Sequence, residues 1–243
     1  MFKIMDSVGI IGFGRFGKVL LSILEKGFKV SIYDPKVKDL SNNVNFQNLD
    51  YILKQKTIFI SVPICHFESV IKNISPKLSK GQTIIDVCSV KIYPLDIMID
   101  NLEKSIGIIG THPMFGPDSF QSNKSLKMMM NNARDVNHQY RFWKRYFKDQ
   151  GIQTLEMSAQ EHDLKASKTQ GVTHFLGRML KEFGIQKTTI DTQGFRDLIN
   201  LVDQTCNDSW ELFRDLQLYN PYTKEMIKDL KKATEKVNKQ LND

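Results

Sequence analysis

The amino-acid sequence predicts an α/β protein, a doubly wound parallel sheet followed by a smaller all-helical domain. Three observations predict it. A glycine turn, Gly12-Phe13-Gly14-Arg15-Phe16-Gly17, joins a short apolar run to a helical pattern. Short β-branched apolar runs then alternate with amphipathic segments up to about residue 157, and beyond it only helical periodicity continues. A chain of 243 residues with 41% apolar content can bury a core in two domains, expected at 1–157 and 158–243.

The elements follow in chain order. Val8-Gly9-Ile10-Ile11 reads as a strand buried on both faces, as a parallel sheet requires. Val19, Leu20, Ile23 and Leu24 then share one helical face, and Gly27 is expected to cap that helix. Residues 29–33 form the next strand, with Asp34 at its end. Strands are predicted at 57–62, 83–87 and 106–109, and the loops Ser61-Val62-Pro63, Cys88-Ser89-Val90-Lys91 and Thr111-His112-Pro113 should lie at their carboxyl ends. Pro63 and Pro113 are expected to stop the ladder there. Residues 127–130 and 154–157 are candidate edge strands flanking a helix around 140–147. Ser158-Ala159-Gln160-Glu161 has capping-box spacing and should open a helix running to about residue 183. Two more helices are expected at 194–218 and 221–241, the last with Met226, Leu230, Ala233, Val237 and Leu241 on one face.

Composition excludes several classes of function. The net charge is +7, but lysines interleave with acids, as in Lys224-Glu225 and Lys228-Asp229, so no nucleic-acid partner is expected. A positive field of this size instead attracts anionic small molecules. No apolar run approaches the ~20 residues of a membrane span, and residues 1–6 carry no leader signal, so a cytoplasmic location without membrane partners is expected. Cys65, Cys88 and Cys206 are few, far apart and form no CxxC pair, which fits a reducing compartment, small core residues and no structural metal.

The glycine turn points to a dinucleotide. In a Rossmann-type unit Gly12 permits the tight turn, Gly14 lets backbone approach a pyrophosphate and Gly17 lets helix pack on strand, while the helix N-terminus offers free N–H groups. Arg15, Phe13 and Phe16 complete the turn, and Ser61, Val62 and Pro63 are expected beside it. Asp34, 22 positions after Gly12, is placed to accept ribose hydroxyls and favours NAD, although Lys36 and Lys38 leave NADP open. The alternative is a glycine-rich turn of another α/β protein.

Further motifs follow: Asp86-Val87-Cys88-Ser89-Val90-Lys91, Thr111-His112-Pro113-Met114-Phe115-Gly116-Pro117, Glu161-His162-Asp163 and Gln170-Gly171-Val172-Thr173-His174. With the glycine turn and residues 203–220, their order and spacing resemble the prephenate/arogenate dehydrogenase family of tyrosine biosynthesis. The segments His112 to Pro117 and Thr205-Cys206-Asn207-Asp208-Ser209 are similar to plant-type arogenate dehydrogenases, whereas Phe213-Arg214-Asp215 resembles the bacterial pattern.

The resemblance implies NAD(P)-dependent oxidative decarboxylation of arogenate or prephenate, in a homodimer. His112 would accept the proton of the substrate's ring hydroxyl, since an imidazole of ordinary pKa ~6.5 is mostly neutral at physiological pH. Ser89 would hydrogen-bond the same hydroxyl. Arg214 would grip a carboxylate, His174 would lie near the substrate side chain, and Asp208 would select an ammonium over a keto group. The bland alternatives are a strand-end histidine at 112, a surface arginine at 214 paired with Asp215 or Glu211, and a core or interface histidine at 174. His162 and Asp163 are read as structural. Other readings are an oxidoreductase of the β-hydroxyacid dehydrogenase type, with Lys165, Lys168 or Lys181 as its lysine, and a nicotinamide-binding regulator without turnover.

Overall fold

In the computed structural model, residues 7–37, 44–120 and 126–242 are described, and residues 1–6 and Lys38 lie outside them. The chain divides into two compact units, Met1–Ala159 and Gln160–Asp243. In the first, β1 (Ser7–Ile11), α1 (Arg15–Leu24), β2 (Lys29–Tyr33), α2 (Leu49–Ile52), β3 (Thr57–Ile60), α3 (Ile64–Ile74) and β4 (Thr83–Asp86) are followed by α4 (Ile92–Asn101) and β5 (Gly107–Pro113). Then come α5 (Pro117–Phe120), β6 (Leu126–Arg134), α6 (Gln139–Asp149) and β7 (Ile152–Glu156).

The seven strands form one sheet in the order β2-β1-β3-β4-β5-β6-β7. All joins are parallel except β5 with β6, which is antiparallel. The apolar runs are continuous because both faces of the sheet are covered. Ile10, Phe59, Ile85 and Ile109 pack with Leu20 and Ile23 of α1 and with Trp143 and Phe147 of α6. Alternating with them, Ile58, Ile84 and Ile108 are fully buried on the opposite side.

Several local expectations are corrected. The helix after the glycine turn ends at Leu24 with Glu25 as its cap in right-handed geometry, so Gly27 does not cap it. Instead, a Cβ on Gly27 would stand 2.7 Å from the Tyr146 ring. The missing side chain admits that ring, and the Tyr146 hydroxyl donates to the carbonyls of Ile23 (2.7 Å) and Leu24 (3.2 Å). A side chain 122 residues away thus serves carbonyls at the helix end. The second correction is that Thr111, His112 and Pro113 lie inside β5. His112 pairs with Met129 and Pro113 with Met128 of the antiparallel neighbour, and proline is tolerated because it is the strand's last residue. Residues 127–130, expected at an edge, are interior to the sheet for the same reason.

The second unit holds most of α7 (Ala159–Ala166), a π turn at Ser167–Gly171, α8 (Val172–Phe183), α9 (Gln193–Cys206), α10 (Trp210–Tyr219) and α11 (Thr223–Gln240). The helix predicted at 194–218 is two. Asn207 to Ser209 interrupt it, and the Ser209 hydroxyl caps α10 by accepting from the Leu212 N–H. Close packing of α8 on α9 depends on Gly177, where a Cβ would lie 2.0 Å from Thr205 Oγ1. Among the described residues, no helix is long and apolar enough to cross a membrane.

Tyr146→Phe should remove the donor to the Ile23 carbonyl and destabilise the first unit by about 1–3 kcal/mol, since the carbonyl left behind is buried. Urea denaturation checks this; an unchanged midpoint would show that another group already satisfies that helix end.

Candidate active site

The glycine turn sits where β1 and β3 diverge toward opposite sides of the sheet order, the position at which open α/β sheets hold ligands. Gly12 has φ of +97°, and a Cβ there would lie 2.2 Å from the Ser61 carbonyl oxygen. Only glycine meets both demands. A Cβ on Gly17 would meet the Gly12 carbonyl at 2.7 Å, so helix and turn are in close contact. Gly14 is different. It faces open space, with nothing within 4 Å of an added Cβ, and it precedes α1 without any side-chain cap. No side chain caps α1 and no acidic residue in its first turn repels an anion, so this helix N-terminus suits one.

Asp34 closes the other side of this turn. Its carboxylate accepts from the Phe13 N–H at 2.7 Å and from the Lys36 N–H at 2.8 Å, which fixes its orientation while each oxygen keeps a second lone pair. Phe13 is also held edge-on against Phe46, 5.3 Å between ring centroids. Ser61, Val62 and Pro63 form the β3–α3 turn beside Gly12, with the Ser61 N–H on the Ile11 carbonyl and Pro63 immediately before α3. The half-buried turn residue Phe16 meets Phe115 at 6.3 Å, and Phe115 stacks on Phe120 at 5.9 Å. The segment after His112 is thereby packed on the nucleotide turn. These residues fit a dinucleotide: the open Gly14 cradle and uncapped helix suit a pyrophosphate, and the oriented Asp34 carboxylate suits a ribose.

A buried clasp joins the loop that carries Ser89 to the strand that carries His112. Asp86, the last residue of β4, and Lys91, just before α4, form an ion pair with both side chains fully buried. The same ammonium donates to the Thr111 carbonyl at 2.5 Å. Thr111 returns its hydroxyl to the Asp86 carbonyl at 2.6 Å and its N–H to Asp86 Oδ2 at 3.3 Å, while the Cys88 N–H reaches Asp86 Oδ1 at 2.9 Å. Ser89 lies in the middle of the loop so closed, and His112, buried at 5% exposure, follows Thr111 directly. Burial pushes the Asp86 carboxyl upward, and the Lys91 ammonium with the two N–H donors opposes it. Neither Asp86 nor Lys91 was singled out from sequence as a site residue. The available signal was a strand-end carboxylate with a lysine five positions on in an otherwise apolar stretch.

In the helical unit, His174 and Asp208 are brought within electrostatic reach of each other. Burial holds His174 below the ordinary histidine value, the Asp208 carboxylate opposes this, and the Arg178 guanidinium adds to it. Arg178 is a second residue the sequence reading passed over. It lies over Trp210 at 5.4 Å and Phe213 at 5.5 Å and donates to the Asp208 carbonyl, yet its Nε and the Nδ1 of His174 are buried without a hydrogen-bond partner among the described residues. Arg214 is exposed on α10 and, among the described residues, makes no ion pair with Asp215 or Glu211. No hydrogen bond links it to His174 or Asp208 among the described residues. His162 and Asp163 join at 2.7 Å, and the Asp163 carbonyl accepts from Asn220 Nδ2 at 2.8 Å.

Fold and nucleotide turn together define a two-unit chain of the dinucleotide-binding oxidoreductase type. Residues 23–135 match the model of the prephenate dehydrogenase nucleotide-binding domain, and residues 179–243 match that of the TYRAAT1-like C-terminal domain. The chain is 32% identical over 248 residues to arogenate dehydrogenase 2, chloroplastic, of Arabidopsis thaliana, covering 96% of this chain and 69% of that protein. Arogenate dehydrogenase 1, chloroplastic, of the same plant is 31% identical over 96% of this chain, which spans only 39% of that relative. Among solved structures, prephenate dehydrogenase from A. aeolicus with hydroxyphenyl propionate and NAD+ superposes with a TM-score of 0.78 at 20% identity, covering 98% of this chain and 91% of that one. Synechocystis arogenate dehydrogenase gives 0.69 at 17% identity, covering 97% and 92%. The chain belongs to the arogenate/prephenate dehydrogenase family.

Because His174 is depressed in the folded chain, the unfolded chain takes up its proton at higher pH, so stability falls as pH drops through the ordinary value of ~6.5. Melting curves of wild type and His174→Gln at about pH 7.5 and 5.5 should show the wild type losing more of its midpoint. Equal losses would mean that His174 titrates alike folded and unfolded.

Proposed function

We propose that the chain catalyses NAD(P)-dependent oxidative decarboxylation of arogenate and/or prephenate, giving tyrosine or 4-hydroxyphenylpyruvate with CO2 and reduced cofactor. The observation that carries the reading is the clasp, which ties Ser89 and His112 to the carboxyl edge of the sheet that bears the glycine turn. Gly12 to Gly17, with Ser61, Val62 and Pro63, would hold the dinucleotide through backbone, and Asp34 its ribose. The bound nicotinamide supplies the acceptor for the hydride lost from the hydroxyl-bearing ring carbon.

His112 takes the proton of that hydroxyl, a contribution typically worth ~10²–10⁴-fold for a positioned base. Ser89 orients the same hydroxyl. As the oxygen gives up its proton, its electrons would form a C=O while the ring carbon loses hydride; the bond to the ring carboxylate would then supply the ring's electron pair as CO2 departs, and the oxygen would regain a proton to give the aromatic hydroxyl. Arg214, exposed and without an ion pair among the described residues, binds a substrate carboxylate, with His174 beside the side chain. Asp208 supports arogenate, because a carboxylate held near His174 pairs with an ammonium and not with a keto group. NAD is proposed before NADP on the strength of Asp34. We place the chain in the cytoplasm, which the free thiols of Cys65, Cys88 and Cys206 suit. A homodimer is supported by α11, where Val237 and Leu241 are 55% and 79% exposed at the end of its apolar stripe.

Purified protein should form NADH with arogenate or prephenate; silence with both, despite NADH binding, would sink the reading. His112→Asn should lower turnover by ~10²–10⁴-fold with NAD affinity intact, and equal turnover would remove His112 from the mechanism. Asp34→Ala should weaken NAD and raise NADP use relative to it. Asp208→Asn should lower the arogenate-to-prephenate ratio of kcat/KM; an unchanged ratio would place selectivity elsewhere.

A further inference from the structure

Lys91 has no solvent exposure, so its ammonium is out of reach of bulk water. A buried ion pair is seldom required for stability, since apolar residues of similar volume commonly serve as well. What such a pair supplies in addition is direction. Its contacts here converge on the two segments that carry Ser89 and His112.

We propose that Lys91, oriented by Asp86, is a positioning residue for the reaction, setting where Ser89 and His112 stand relative to each other. This rests on the roles proposed above for those two residues. Asp86 Oδ1 gathers the Cys88 N–H and the Lys91 ammonium, so the loop holding Ser89 is tied at both of its ends. The ammonium also grips the carbonyl of Thr111, which belongs to the peptide bond leading into His112. Thr111 is held by its N–H and hydroxyl as well, so the backbone before His112 has little freedom left. A base and a hydroxyl that must address one substrate oxygen need hydrogen-bond geometry to both, and a displacement of ~1 Å can cost ~10²-fold in rate. Van der Waals packing alone, lacking directional bonds, would hold the loop and the strand end with less angular definition.

The double substitution Asp86→Asn/Lys91→Met tests this, because it removes both charges and leaves neither one buried alone. The expected result is a kcat lower by about 10–100-fold, with NADH affinity and melting midpoint near those of the wild type. The pH profile of residual kcat/KM should keep its wild-type midpoints, since the base is still present. Should the double variant fail to fold, Thr111→Val removes one hydroxyl donor at nearly constant volume and should lower kcat several-fold with NADH binding unchanged. Wild-type kcat in the folded double variant, or in Thr111→Val where the double variant is unfolded, overturns the proposal. Ser89→Ala and His112→Asn separate the two failures. If they lose turnover while the clasp variants keep it, only the positioning role falls; if they too turn over normally, the functional reading falls with it.

Discussion

A carboxylate and an ammonium sealed from water at the carboxyl edge of the sheet, Asp86 and Lys91, hold the loop after β4 against β5. Moving two charges out of water costs several kcal/mol per ion, and only saturated hydrogen bonding repays it. Here the carboxylate takes N–H donors from Cys88 and Thr111 besides the ammonium, and the ammonium has a backbone carbonyl as well. Remove one partner and the other is stranded, a loss of about 3–5 kcal/mol for pairs of this kind. The clasp spans β4, the loop after it and β5, the strand that pairs antiparallel with β6.

The nucleotide turn depends on backbone proximity instead of charge. Gly12 and Gly17 are glycines because other atoms occupy the space a side chain would need, whereas Gly14 is a glycine beside open space. Two crowded positions around a vacant one describe a cradle. Phe115, tilted against Phe16, packs the segment after His112 onto that turn. Burial of an aromatic pair there links two segments that lie about a hundred residues apart in the chain, at a gain of about 0.5–1.5 kcal/mol beyond area alone.

The helical unit distributes its polar groups differently. Where α7 passes into α8 through a π turn, the Gly171 carbonyl is served by Gln217 Nε2 at 3.1 Å. Among the described residues His174 Nδ1, Arg178 Nε and Gln217 Oε1 have no hydrogen-bond partner, and the Arg178 guanidinium lies over Trp210 and Phe213.

Much of this molecule was legible in the amino-acid order. Strands buried on both faces announce themselves as continuous apolar runs, and the glycine turn with Asp34 carries a local signal because each residue's demand is met within the turn and the strand ends beside it. Order and spacing of Ser89 and His112 among their motifs were enough to indicate a family. Tertiary structure alone decided what depends on distant partners. Gly27 is small for the sake of Tyr146, which no local pattern reveals. His112 stays within a strand because β6 returns antiparallel beside it, and hydrophobic periodicity carries no information on pairing direction. The break at Asn207 to Ser209 was hidden because apolar spacing continues across it, while the capping serine is a common residue. Lys91 stood in the sequence only as the last residue of a strand-end loop, since a side chain's burial is a property of what packs around it and not of the residue itself.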